Sequence, residues 1–432
     1  MDNQSKNMPD DDSYDLGKFA IILIIGSLLN QMGNLGFRII SALALVGDDY
    51  ATFSLTMRTF QLLIPVATFF LHSPLTREIR LQERSYDEII RSFIQSYWLT
   101  SVIGFAMMLI FGTTVLSQIP LLIVIYLGIC LIARAFTEFF LGVVRGKGDA
   151  VSSSIVSSVT GLIRGILVVI LFFIYSRKPP LSFILITYGL GLFAAYIIGY
   201  LITYPVGNYM FKIFSKRTNI RTEPVKDHLR VATLLSIGGV IVSGSYWLVT
   251  YLAIEIFDDT TFKAFDLALL IVSMVSLVGS SFSIATNAKV TIVRTRERIE
   301  RFKRSFFKYL GLLLLIDIVF VLFIVLTSLD QIVLKFIGFD FSSAQISMIR
   351  FTAVLPVPFI AASLLNGRSQ SAGNYVNLTK SQLLYLIVVL ISSIVGYLYE
   401  SGIILILALF IGKTIQSIIL YYTEIYNLDF ND

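Results

Sequence analysis

Long apolar runs, each about the 20 residues that a helix needs to cross a bilayer, recur along the whole chain and are broken by short polar turns. Twelve stand out, near 18–46, 50–73, 92–114, 119–143, 151–175 and 181–205, then 231–256, 262–286, 308–328, 342–365, 376–398 and 402–425. Their length and their lack of two-residue alternation predict helices rather than strands. The fold expected is an all-α integral membrane protein. Turns such as Gly47-Asp48-Asp49 and Asp258-Asp259-Thr260 suit helical hairpins.

The pattern repeats once. Asp48-Asp49 after the first run is matched by Asp258-Asp259 after the seventh. A basic segment from Arg77 leads into Ser92-Phe93, and another from Asn287 leads into Ser305-Phe306. Two six-helix lobes follow, 1–220 and 221–432, of the same orientation, related by an axis along the membrane normal. The segment 206–230 joins them. Segments 77–91 and 287–307 mix Arg and Glu with apolar residues at helical spacing, which predicts amphipathic helices on the membrane surface.

Composition agrees. Apolar residues make up 56% of the 432 and charged residues 14%, and mean hydropathy is +0.80. Most of the 34 basic residues fall in segments on one side of the expected topology, and Arg177, Lys178, Lys263 and Lys335 fall on the other. Loops rich in Lys and Arg stay in the cytoplasm, so both termini are expected there. The same bias explains the net charge of +6 without nucleic acid. Asp10, Asp11, Asp12 and Asp15 precede the first run, where a signal peptide would carry basic residues. One cysteine, Cys130, and two distant histidines, His72 and His228, leave no metal-ligand cluster.

Charges within the runs narrow the function, because each costs at least about 2.5–3.5 kcal/mol at the bilayer centre. Arg38 and Arg58 flank one turn at matching depth. Two such cations repel unless an anion or water separates them. Arg134 and Arg164 lie near mid-span on neighbouring runs, and Glu138 stands four residues after Arg134, in reach of an ion pair. Arg350 lies eight residues into its run. Guanidinium groups bind phosphate through a planar fork. Arg38, Arg58, Arg134, Arg164 and Arg350 are therefore the candidate substrate-binding residues, around a water-filled cleft that takes an anion. Asp317, Glu138 and Lys413 are candidates for proton or sodium coupling; no other cofactor is implied. Lys380 sits near a span end and is expected to snorkel.

The stretch from Leu35 through Arg38, Gly47, Asp48, Asp49 and Tyr50 to Phe53-Ser54-Leu55 resembles the first hairpin of polysaccharide flippases, and Phe140 to Gly148 with the Ser-rich run after it resembles their turn between helices four and five. The resemblance is to Wzx-like O-antigen flippases of the multidrug/oligosaccharidyl-lipid/polysaccharide (MOP) exporter superfamily. It implies a MATE-like fold of twelve helices. It also implies a cargo of undecaprenyl-pyrophosphate-linked oligosaccharide, flipped by alternating access in a bacterial cytoplasmic membrane, with membrane lipid and other polysaccharide-assembly proteins as partners. In related lipid II flippases, arginines on the first two helices contact the pyrophosphate, and Arg38 and Arg58 hold those places. The seventh run opens without the arginine those flippases carry, and their two extra C-terminal helices have no counterpart. An O-antigen or capsule unit is thus favoured over a peptidoglycan precursor. A MATE-type drug or cation antiporter would want an acidic cavity. A membrane-embedded polymerase or ligase would want a catalytic outer loop, and the segment 329–341 has no paired acids. A purely structural membrane protein would leave the arginines unexplained.

Overall fold

In the computed structural model, residues 12–81, 85–204, 223–289, 337–353, 357–372 and 374–426 are described, with scattered positions between 304 and 335. Among them the chain forms α1 (Asp12–Ala44), α2 (Asp48–Thr68), α3 (His72–Leu81), α4 (Tyr86–Thr114), α5 (Leu121–Gly146), α6 (Ala150–Ile174) and α7 (Leu181–Ile202). The second half supplies α8 (Glu223–Ile256), α9 (Asp259–Lys289), α10 (Ser343–Ala353), α11 (Val357–Ala372), α12 (Tyr375–Leu398) and α13 (Gly402–Tyr421), which ends in a π turn over Tyr422–Tyr426. Nine of the helical stretches among the described residues are long and apolar enough to cross a membrane. The expected ninth run, with Asp317, and most of 287–307 lie outside the described residues.

Local chemistry sets several helix starts. Ser85 caps α4 by accepting from the Glu88 amide at 3.4 Å, and Asp149 caps α6 by accepting from the Ser152 amide at 3.0 Å. Each satisfies an amide that the first turn leaves open. Asp48 and Asp49 in the first turn of α2 suit the positive end of its dipole.

The helices are turned inside out relative to a water-soluble bundle. On α6, Val151, Ile155, Ile166 and Phe173 are exposed, whereas Ser153, Thr160, Gly161 and Arg164 are buried. On α12, Ile387, Ile391 and Ile394 face outward and Ser381, Gln382 and Ser393 inward. Such an arrangement suits a hydrocarbon solvent and makes this a multi-pass membrane protein.

Two expectations are corrected. The segment 77–91 is not one surface helix. The helix of the second run stops at Thr68, and Phe69 and Phe70 turn the chain with φ of 45° and 49°. α3 then follows, with Leu75 and Ile79 buried, and Tyr86–Arg91 already belong to α4. Nor are the Gly47 and Asp258 turns closed hairpins. α1 packs along α6 and α9, while α2 packs along α8 and α4. The two helices joined at Gly47 diverge, and so do the two joined at Asp258. A space opens between the diverging pairs.

The α1–α6 contact depends on small residues. A Cβ on Gly161 would lie 1.9 Å from the Asn30 carbonyl oxygen, so the two backbones meet there as only glycine permits. The Asn30 side chain accepts from the Gly161 amide at 2.8 Å. This junction sets the height of Arg164 on α6 against Asn34 and Arg38 on α1.

Candidate functional site

A cavity of about 540 Å³ occupies that space, within the roughly 300–1,000 Å³ usual for small-ligand sites. Its charged lining residues are Arg38, Arg58, Arg164, Lys413 and Asp266. Among the described residues, four basic side chains thus meet one carboxylate.

Arg38 comes from α1, Arg58 from α2 and Asp266 from α9. Arg38 Nη1 lies 3.3 Å from Asp266 Oδ2, and Arg58 Nη2 lies 3.1 Å from Asp266 Oδ1. Tyr50 donates its hydroxyl to the same Oδ2 at 2.9 Å. The anion that two neighbouring cations require is therefore a carboxylate from the other half of the chain. Arg58 also donates to Gln61 Oε1 at 3.3 Å, and the Arg38 guanidinium lies 5.2 Å from the Phe53 ring centre. Asp266 is 3% exposed and both arginines are 7% exposed. Their ion pairs are thus screened little by bulk water.

Arg164 is held by different means. Its Nε donates to the Tyr188 carbonyl at 2.9 Å and its Nη1 to Asn34 Oδ1 at 3.2 Å. The guanidinium stacks on the Tyr188 ring at 3.6 Å, a favourable cation–π geometry. Its stem fits because residue 191 has no side chain: a Cβ on Gly191 would lie 2.6 Å from Arg164 Cγ. Lys413, on α13, donates to Gln416 Oε1 at 2.8 Å and lies 4.5 Å from the Tyr385 ring centre. Amides continue the second-half wall with Asn366, Gln370 and Gln382. Arg58 Nε, Arg164 Nη2 and Gln382 Oε1 are buried without a protein partner. Buried polar atoms are rarely left so, and a polar ligand or water in the cavity would satisfy them.

The expected site is thus brought together in part. Arg38, Arg58, Arg164 and Lys413 converge. Arg134 does not line the cavity; it is ion-paired with Glu138 one turn further along α5, and Glu138 Oε2 lies 3.7 Å from His72 Nδ1. Arg350, on α10, is also absent from the lining. Asp266 and Tyr50 were not expected in the site. The signal for Asp266 was its position, seven residues past a turn that repeats the Gly47 turn.

Halfway along and towards the far end, other ties cross between the halves. Trp247 Nε1 donates to Thr59 Oγ1 at 3.0 Å, Ser236 to the Pro65 carbonyl at 2.9 Å and Ser73 to Gln370 Oε1 at 3.3 Å.

Residues 16–288, more than half the chain, match the family model described as polysaccharide biosynthesis protein. The chain belongs to this polysaccharide biosynthesis family. Comparison with curated protein sequences finds none that matches. Among solved structures, the outward-facing form of a multidrug resistance MATE family transporter of the MOP superfamily is similar at 16% identity, with 97% of each chain covered and a TM-score of 0.69. The inward-facing form of such a transporter is similar at 17% identity, covering 95% of this chain and 98% of that one, with a TM-score of 0.68. A MOP superfamily transporter from Pyrococcus furiosus, described as having a binding pocket of reverse polarity, is similar at 14% identity over 96% and 95% of the two chains, with a TM-score of 0.61. This polysaccharide biosynthesis family member therefore has the MATE-like fold of MOP transporters.

Proposed function

We propose that the protein flips an undecaprenyl-pyrophosphate-linked oligosaccharide, an O-antigen or capsule repeat unit, from the cytoplasmic to the outer leaflet of a bacterial cytoplasmic membrane. In this reading residues 1–220 and 221–432 are two lobes that rock about the cavity, with both termini cytoplasmic. Reciprocal packing of α1 on α9 and of α2 on α8 supports a two-fold relation between the lobes. The observation that carries the cargo assignment is the surplus of basic groups: Arg38, Arg58, Arg164 and Lys413 against Asp266. Burying that surplus is costly unless an anion visits. A diphosphate supplies the charge and the forked acceptors that guanidinium groups match, while its polyprenyl tail stays in lipid. The amides on the second wall suit sugar hydroxyls.

Among the fold's neighbours, multidrug transporters supply the competing reading, a cationic drug as cargo. The cationic cavity disfavours it. The test is to express Arg38→Ala and Arg58→Ala in a host whose surface polysaccharide depends on this protein. Surface polymer is expected to fall to background in both, at unchanged protein level in the membrane. Normal polymer in both, or export of a cationic dye that survives both substitutions, would overturn the assignment.

A further inference from the structure

We infer that Asp266 is a resident stand-in for the cargo's phosphate, which the incoming diphosphate displaces to release one wall of the cavity from the other. The inference rests on the cargo reading above and adds to it a gate and the residue that works it.

Asp266 occupies the position a phosphate would take. Its two oxygens accept from Arg58 Nη2, Arg38 Nη1 and the Tyr50 hydroxyl, at 3.1, 3.3 and 2.9 Å, and it lies in the cavity wall. The donors belong to α1 and α2, the acceptor to α9. The same stretch of α9 makes the other ties to the α1–α2 turn. Lys263 Nζ, paired with Asp259 Oδ2 on its own helix at 3.0 Å, donates to the Leu45 carbonyl at 2.9 Å, and Phe262 meets the Tyr50 ring edge-on at 5.8 Å. The seam is therefore centred on one carboxylate.

Charge decides which anion wins. Two guanidinium groups hold one carboxylate, so one positive charge is left unmet. A diphosphate brings more negative charge and more acceptor oxygens to the same donors. Once it is seated, Asp266 faces a like charge across shared donors and is driven off. α9 then loses its ionic tie to α1 and α2. When the diphosphate leaves, Asp266 returns to the arginines and closes the seam. The carboxylate thus keeps phosphate affinity low enough for release and couples the state of the seam to occupancy. Coupling of this kind is reciprocal: whatever frees the seam must strengthen phosphate binding.

The test uses the full chain in lipid nanodiscs with farnesyl diphosphate as probe. Asp266→Asn keeps the side-chain shape and removes the competing charge. It is expected to bind the probe about tenfold more tightly, because the binding-competent fraction rises. A second measurement leaves Asp266 intact and so holds even where Asp266→Asn fails to fold. Leu45, 2% exposed at the seam, is changed to Cys in a Cys130→Ser background. Labelling of Leu45→Cys by a charged maleimide is expected to quicken when the probe saturates the protein. Unchanged or weaker binding by Asp266→Asn, or labelling indifferent to the probe, overturns the displacement. Loss of probe binding in Arg58→Ala alongside either result shows that the cargo reading stands without it. A wild-type protein that does not bind the probe overturns both.

Discussion

Among the described residues, two buried ion clusters each join arginine to a carboxylate, and they are arranged on opposite principles. In one, Arg134 and Glu138 sit four residues apart on α5, and His72 stands beside the carboxylate. Buried Arg145 also interacts with this carboxylate, so every charge of the cluster comes from the one half, and neither Arg134 nor Glu138 lines the cavity. In the other, Arg38 and Arg58 share a single carboxylate that comes from α9, in the other half, and all three line the cavity. A pair that neutralises itself locally can serve as packing. A pair of cations that shares one carboxylate, supplied by the other half and facing the cavity, is what the proposed reading asks of a site for a second anion. The difference lies in where the counter-charge originates and in whether the cavity reaches it.

The comparison breaks most visibly at its carboxylates. Asp266→Ala leaves two buried guanidinium groups facing each other, and breaking a buried pair in this way costs about 3–5 kcal/mol. The purified variant is expected to show a clearly lowered melting temperature in detergent, with pyrophosphate restoring part of the loss. A melting temperature equal to wild type would mean that water already screens the arginines, and the contrast between the clusters would vanish.

Glu138→Ala should cost less, about 1–3 kcal/mol, because the Arg134 side chain, 24% exposed, is less tightly enclosed than those of Arg38 and Arg58, each 9% exposed. A local pair also makes a sharper demand. Arg134→Ala combined with Glu138→Ala should be less destabilised than Glu138→Ala alone, since the second change removes the orphaned charge. Simple additivity would show that the two residues do not act as a pair.

Function separates the clusters in the same direction. Glu138→Gln is isosteric and Arg134→Gln keeps a polar side chain on a shorter stem; together they remove both charges. Surface polymer is expected to stay within about threefold of wild type, about 0.7 kcal/mol at RT of 0.59 kcal/mol. Abolished export in this double variant, at normal protein level, would make the pair part of ion coupling instead of packing.

How far each cluster can be read in the sequence follows from the same distinction. The α5 pair is legible because four residues make one helical turn. Membrane helices were legible from apolar runs. The Arg38–Asp266–Arg58 group was legible only as an unmet need. The depths of Arg38 and Arg58 from Gly47 said that something must lie between them, but its source is 208 residues from Arg58. No local pattern encodes which half supplies it. The diverging course of α1 and α2 was hidden for a related reason: a short turn predicts adjacency at the turn, while the packing of α1 is decided by the Gly161–Asn30 contact on another helix. Arg134 was misplaced because depth along a helix does not say which way the side chain points.

The smallest expected effect tests whether charge, or simply contact between the halves, distinguishes the seam at Asp266. Trp247 on α8 donates to Thr59 on α2 at 3.0 Å and stacks on Tyr251 with ring centres 5.4 Å apart. It ties the same two halves together, at the residue of α2 that follows Arg58, without any ion. Trp247→Phe removes the donor and keeps an aromatic ring, so the loss should be near that of one neutral hydrogen bond, about 0.5–1.5 kcal/mol. Because the bond carries no charge, a diphosphate has nothing to compete for there, and binding of farnesyl diphosphate should be unchanged within error. If Trp247→Phe tightens diphosphate binding as much as Asp266→Asn does, loosening any contact between the halves is enough, and the carboxylate has no special part in it. If only the Asp266 variant responds, the arginines are selecting between two anions, and the neutral tie serves to keep α2 and α8 in register while they do so.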